Sequence, residues 1–327
     1  MNILLTDYCN RSCSFCFAKQ RVTPSGKIRK GTSMSVENYN RILSFLEKSQ
    51  VGDVRLLGGE PTLHPKFIDY VETALKRGFK VHIFTNGIMP RKVVDYLSGV
   101  DSQPISILVN ISPPDQYDDN QWERIQKALE IIGSPLGLGI TVASPDFEYA
   151  FLLPLIDKFG LRKRIRVGIA QSIVGTDNQY LPLEMYRATG RAIVNMAETC
   201  EKKDILIGFD CGLTQCMFTE KELGKLGKLS EGFMVRCGPI VDVGTDLSIW
   251  SCFPLSNVFN THLDHFQYYR DIVKAYERAL GPYRSLGSRS ECINCKFLQR
   301  NQCKGGCLSH TLNALQRKPP RVLSLAE

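Results

Sequence analysis

The sequence predicts an α/β fold in which six β-α units surround a parallel sheet and a small cysteine-rich domain follows. Short apolar runs and amphipathic stretches alternate through the first ~200 residues, which is the periodicity of repeated β-α units. A composition of 43% hydrophobic and 23% charged residues in 327 suits a chain that folds throughout, as one large domain and one smaller. Its twelve cysteines avoid the middle: three lie within Cys9 to Cys16 and nine between Cys200 and Cys307. In a chain without a secretion signal, that clustering points to metal ligation before disulfides.

The first strand is Asn2 to Thr6, and the loop after it holds the first cysteines. A helix from about Ser35 to Lys48 sets Val36, Tyr39, Ile42, Leu43 and Leu46 on one face. Strand two, Val54 to Leu57, runs into Gly58-Gly59-Glu60-Pro61-Thr62, and its helix buries Phe67, Ile68, Val71 and Leu75. Strand three is Val81 to Thr85, closed by Asn86-Gly87; strands four, five and six span about Ile105 to Ile111, Leu138 to Val142 and Ile165 to Ala170. A helix from Leu183 to about Lys202 ends this half. Near Ile205 the composition turns to cysteine, glycine and short strand-like runs, which divides the chain into 1–204 and 205–327.

No stretch approaches the ~20 apolar residues a membrane span needs, and Met1 to Leu5 carry no basic flank or cleavage site. A cytoplasmic protein without a membrane partner is expected. The net charge of +8 is scattered, with only short clusters such as Arg162-Lys163-Arg164, so a mildly basic solvated surface is expected and no nucleic-acid partner.

Cys9, Cys13 and Cys16 place three thiolates on the loop leaving the carboxyl end of strand one, where open α/β and barrel sites are built. A four-iron cluster takes one ligand per iron, so three cysteines leave one iron open. Three thiols and one further ligand also suit zinc. In Gly58-Gly59-Glu60-Pro61, two glycines let backbone approach a ligand closely, and Glu60 can accept from an ammonium group.

The C-x3-C-x2-C spacing, with the aromatic Phe15 before its third cysteine, and the Gly58–Pro61 motif together resemble the radical S-adenosylmethionine superfamily. The resemblance implies a (β/α)6 partial TIM barrel and a 4Fe-4S cluster on Cys9, Cys13 and Cys16. The open iron would chelate the methionine moiety, and reductive cleavage would give a 5′-deoxyadenosyl radical that abstracts hydrogen from substrate. Phe15, Gly58, Gly59, Glu60 and Pro61 would then lie against the cofactor, with Asn110 and Ser112 toward its ribose. Asn86, in a Thr-Asn-Gly triplet frequent in the family, is a weaker candidate.

Cys237, Cys252, Cys292-x2-Cys295 and Cys303-x3-Cys307 resemble the SPASM, or twitch-like, domain of the same superfamily, with three departures. Leu247 replaces the usual glycine before Cys252, seven residues rather than five separate Cys295 from Cys303, and no cysteine follows Cys307. The resemblance implies an inner auxiliary cluster on Cys237, Cys252, Cys307 and either Cys211 or Cys216. An outer one would use Cys292, Cys295 and Cys303, its fourth ligand being the remaining one of Cys211 and Cys216, a non-cysteine group, or none. A zinc-ribbon-like knuckle from Cys292 to Cys307 is the alternative. Cys200, on a helix beside Ile193 and Met196, reads as a buried hydrophobe.

The family modifies peptide and protein side chains, sugars and cofactor precursors, so the expected activity is oxidation or cross-linking of a peptide. A small-molecule substrate is the alternative, and a non-enzymatic metal protein that binds nucleic acid is a more distant one. Phe253 stands where sulfatase-maturing members place an aspartate after the cysteine, and Asp210 is the nearest other acid. A flavodoxin or ferredoxin is the expected reductant. With the first strand starting at Asn2, a separate peptide-recognition protein is a further expected partner.

Overall fold

The computed structural model describes residues 1–22, 33–232, 237–238 and 240–315, so the last residues of the predicted second unit, 316–327, lie outside the described residues. Strands β1 (Asn2–Leu4), β2 (Asp53–Leu57), β3 (Lys80–Thr85), β4 (Ile105–Asn110), β5 (Leu136–Val142), β6 (Arg164–Ile169) and β7 (Leu206–Phe209) pair in sequence order, all parallel. β8 (Asp242–Val243) adds parallel to the free side of β1, and β9 (Ser248–Trp250) and β10 (Thr261–His262) follow it antiparallel. One sheet therefore runs β10-β9-β8-β1-β2-β3-β4-β5-β6-β7, an open barrel wall rather than a closed one.

The connecting helices are α1 (Val36–Lys48), α2 (Phe67–Lys76), α3 (Arg91–Ser98), α4 (Asp119–Ile132), α5 (Leu152–Phe159) and α6 (Tyr186–Glu201). After them come α7 (Glu220–Leu229), α8 (Tyr269–Arg284), the single turn α9 (Lys296–Gln299) and α10 (Leu308–Leu315). Ser35 caps α1 by accepting from Asn38 N at 3.0 Å, and Asp118 caps α4 by accepting from Gln121 N at 2.8 Å. Tyr39, Ile42, Leu43 and Leu46 of α1 are buried as the periodicity requires, whereas Val36 in the first turn is 42% exposed. In α2 the buried stripe is Phe67, Tyr70, Val71 and Ala74, turned slightly from the one expected, because the Tyr39 and Tyr70 rings stack at 4.3 Å between the helices. Cys200 is fully buried within the main core, as expected. No helix among the described residues is long and apolar enough to cross a membrane.

Six parallel strands were expected and seven are present. β7 is four residues long, lies at the sheet edge and leaves Leu206 44% exposed, so it carries little periodic signal. Residues beyond 205 thus lengthen both ends of the same sheet.

Two positions in the added strands show strain of different kinds. Leu247, where a glycine was expected, sits at φ +67° in the left-handed region yet is 1% exposed. That conformation costs roughly 1–2 kcal/mol for an L side chain, while burying a leucine gains about 1.5–3 kcal/mol. Leu247→Gly is therefore expected to lower the unfolding free energy by about 1 kcal/mol, well under the ~2–5 kcal/mol of an ordinary leucine truncation; urea unfolding beside Leu255→Ala checks this.

Asp242 is buried against Asn2, whose Nδ2 donates to it at 2.6 Å, and burial pushes its carboxyl up to about 7 despite that bond. The folded chain holds this proton up to about pH 7, while the unfolded chain releases it near 3.9. The contribution is fully present below about pH 4 and lost as pH rises to about 7, on the order of 2–4 kcal/mol in all. Asp242→Asn should accordingly gain in urea midpoint over the parent at pH 8 and lose that advantage at pH 4.

Candidate active site

Parallel strands all deliver their carboxyl ends to one rim, and the segments leaving β1 to β4 there carry the amino-terminal candidates, with Cys211 and Cys216 following β7. Cys9, Cys13 and Cys16 follow β1 on a loop pinned at both ends: Cys16 N donates to Cys13 O at 3.2 Å, and Glu60 N donates to Tyr8 O at 2.9 Å. The glycines of the second motif serve this loop directly. A Cβ on Gly58 would lie 2.5 Å from Thr6 O, and one on Gly59 would lie 2.5 Å from the Tyr8 carbonyl carbon and 2.8 Å from Cys9 Cβ. Both glycines thus let the turn approach the chain's own cysteine loop closely.

Glu60 is fully buried, and its carboxylate is engaged on both oxygens. Oε1 accepts from Thr62 N, Thr62 Oγ1 and Thr85 Oγ1 at 3.2, 2.6 and 2.8 Å, and Oε2 accepts from Asn86 N at 2.7 Å. Burial pushes this carboxyl upward and those donors pull it back. Oε2, with one donor, keeps capacity for an ammonium group, while Oε1 is committed to holding β2 and β3 together. Pro61 is buried in the following turn.

Asn86 stands closer to the cysteines than the sequence suggested. Its Nδ2 lies 3.8 Å from Cys9 Sγ and donates to Asn10 Oδ1 at 2.8 Å, while Asn10 Nδ2 donates to Ile88 O at 2.9 Å. Asn10 was not a candidate, since an Asn inside a cysteine loop reads as a turn residue. Across the rim, Asn110 is exposed at the end of β4, in space that Gly139 leaves open, since a Cβ there would lie 2.5 Å from Asn110 Oδ1. Ser112 is buried and its N donates to Tyr117 Oη at 2.9 Å; the Arg11 guanidinium stacks 3.9 Å over that tyrosine ring. The cysteine loop and the end of β4 therefore share a wall, which includes Tyr117 and Arg11, two residues sequence reasoning missed. Phe15 is half-buried between Cys13 and Cys16.

The thiol chemistry suits a cationic cluster. Burial pushes Cys9 up to about 12, with Glu60, Cys16 and Cys13 adding to the rise, and burial followed by Cys13 pushes Cys16 up. Cys9 and Cys16 therefore resist ionisation until a metal supplies positive charge, as metal-ligating thiols do.

The carboxyl-terminal cysteines fall into two groups. Cys252 is pushed up by burial and then by Cys307, Cys237 and, further off, Cys211; Cys211 is raised in turn by burial, Asp210, Cys307 and Cys237. Cys307, pushed up to about 11 by burial and Cys237, completes this inner group. Cys216, Cys292, Cys295 and Cys303 line a second cavity together with Thr214 and Arg289. Its walls depend on glycine: Gly287, at φ +68°, would bring a Cβ within 2.7 Å of Cys292 Sγ, and a Cβ on Gly305 would lie 2.5 Å from Gly287 Cα. Cys211 thus groups with Cys237, Cys252 and Cys307, and Cys216 lines the cavity of Cys292, Cys295 and Cys303. Among the described residues, no three His, Cys, Asp or Glu side chains converge on the spacing of a single ion.

Asp210 is tied down, accepting from Cys211 N at 2.8 Å and pairing with Arg166 at 2.7 Å. Phe253 packs between Phe17 and Trp250, with centroids at 5.7 and 5.6 Å.

A model of the radical SAM superfamily matches residues 3–148. The GTP 3′,8-cyclase of Mannheimia succiniciproducens is 29% identical over 136 residues, 40% of this chain and 40% of that protein. The S-adenosyl-L-methionine-dependent tRNA 4-demethylwyosine synthase of Pyrococcus abyssi is 36% identical over 85 residues, 23% of this chain and 25% of its own. These matches span two fifths or less of the relatives' lengths. Streptococcus suis SuiB bound to S-adenosylmethionine superposes with a TM-score of 0.66 at 15% identity, covering 97% of this chain and 74% of that one. anSMEcpe with bound AdoMet does so with a TM-score of 0.61 at 16% identity, covering 94% and 88%. At such identities the likeness is one of fold. Residues 3–148 of this chain are thus similar to the radical SAM superfamily, the part that its model matches.

Proposed function

We propose that this chain reductively cleaves S-adenosylmethionine and uses the resulting radical to oxidise or cross-link a peptide or protein side chain, with residues 205–327 holding two auxiliary iron–sulfur clusters. The observation that carries the reading is the half-buried loop of Cys9, Cys13 and Cys16, packed through Tyr8 and Cys9 against Gly59 at the sheet's carboxyl rim. A four-iron cluster with one open iron, once bound there, supplies the low-potential electron that breaks the sulfonium and releases a 5′-deoxyadenosyl radical. The chain's own part is positional. Glu60 Oε2 accepts from Asn86 N and can accept from one more donor, Asn86 and Asn10 brace Cys9, and Arg11 on Tyr117 closes the wall toward Asn110 and Ser112.

Auxiliary clusters fit a reaction that removes electrons from substrate, with Cys211, Cys237, Cys252 and Cys307 for the inner one and Cys216, Cys292, Cys295 and Cys303 for the outer. A peptide substrate is favoured because the whole-chain likeness, including the cysteine-rich part, is to SuiB, whose structure with its precursor peptide SuiA superposes with a TM-score of 0.65 over 98% of this chain. The GTP 3′,8-cyclase relative favours a small-molecule substrate, but its match is confined to 40% of the chain. The test is deoxyadenosine formation by the reduced protein with peptide and small-molecule fractions from cells grown on deuterated medium. Deuterium entering deoxyadenosine from the peptide fraction is expected; entry only from the small-molecule fraction would turn the reading to the second substrate class.

A further inference from the structure

Tyr186 opens α6 and is 1% exposed. Its hydroxyl is sealed from solvent and meets no hydrogen-bond partner among the described residues. An unpaired buried hydroxyl costs about 1–3 kcal/mol, and native interiors rarely keep one without a use.

The surroundings specify the partner. One turn along α6, Gly190 presses on the Met217 carbonyl, leaving 2.9 Å between a Cβ there and the carbonyl carbon, and Arg187 Nη1 donates to that same carbonyl oxygen at 2.6 Å. The first turn of α6 therefore lies on the segment that carries Cys216. On another side His310, whose N donates to Cys307 O at 3.2 Å, sets its ring edge-on to Tyr186 with centroids 6.4 Å apart. Arg289, which lines the outer cysteine cavity, places its guanidinium 5.6 Å over the phenol ring. Burial, then Cys307, push the phenol's ionisation upward, and Arg289 opposes them. The ring therefore packs against the turn that follows Cys307 and the first turn of α6 against the segment that carries Cys216, with the hydroxyl bonded to no group among the described residues.

We propose that Tyr186 donates its O–H to a sulfur of the cluster held by Cys211, Cys237, Cys252 and Cys307, and so keeps that cluster's reduction potential higher than it would otherwise be. The inference rests on the auxiliary-cluster reading above. Reduction adds negative charge to the sulfurs, so a donor aimed at one stabilises the reduced state and raises the potential. Tyr186 is a positioning residue, acting through the cluster.

The test is Tyr186→Phe in the full reconstituted protein, read by iron count and by a redox titration followed by electron paramagnetic resonance. Iron content is expected to match the parent, with the inner cluster's reduction equilibrium shifted about tenfold toward the oxidised form, roughly 59 mV for one electron, and the other midpoints unmoved. Replacing Tyr186 with 3-fluorotyrosine, a stronger donor of similar size, should move the same midpoint upward. In the metal-free chain, Tyr186→Phe should be at least as stable as the parent, because it removes an unpaired hydroxyl. Full iron with an unmoved midpoint in both variants overturns the inference and leaves the auxiliary clusters standing, as does loss of inner-cluster iron in the phenylalanine variant with no upward shift in the fluorinated one. A parent chain that binds only about four irons overturns both.

Discussion

Gly59→Ala is expected to abolish the amino-terminal cluster while leaving the rest of the chain loaded. The added methyl would meet the Tyr8 carbonyl carbon at 2.5 Å and Cys9 Cβ at 2.8 Å, and two of the obstacles are backbone or first side-chain atoms that cannot swing aside. Overpacking of this kind costs roughly 1–3 kcal/mol, and here the strain falls on the hydrogen bond from Glu60 N to Tyr8 O that sets the cysteine loop. Iron content should fall by about four per chain, and cofactor cleavage by more than about a hundredfold, since a loss near 3 kcal/mol in positioning is already of that order. Gly52→Ala, which has open space around its Cβ, is the control expected to change neither.

Cys211→Ala and Cys216→Ala should each remove a different auxiliary cluster. Although only five positions apart, the two thiols face separate groups: Cys211 answers to Cys307 and Cys237, Cys216 to the cavity of Cys292, Cys295 and Cys303. Each variant is expected to lose up to about four irons and one distinct paramagnetic signal, and the double variant to lose both. Loss of the same signal from both variants would contradict the partition.

The sheet was legible in the sequence because strands two to six are short apolar runs, each followed by a turn and an amphipathic helix, so strand bounds fall within two residues of those expected. What was hidden depends on contacts between distant segments. Nothing in Cys211 to Cys216 tells how the two thiols are placed, because that depends on the turn Gln215–Met217 packing under Gly190 of α6. Leu247 shows the opposite case: a leucine stands where the resemblance has a glycine, and it holds a left-handed conformation that its burial offsets. The Gly58-Gly59 motif packs on the backbone of Thr6 and Tyr8, and Asn10, Arg11 and Tyr117 joined the site through bonds that no local pattern encodes.

The most direct test of radical chemistry at the first cysteine loop is dithionite-driven 5′-deoxyadenosine formation by the anaerobically reconstituted chain, compared with a Cys9→Ala, Cys13→Ala, Cys16→Ala variant. Deoxyadenosine from the parent alone, with about four irons missing from the variant and the auxiliary signals retained, is the predicted result. Zinc in place of iron and no cleavage by either protein would contradict it.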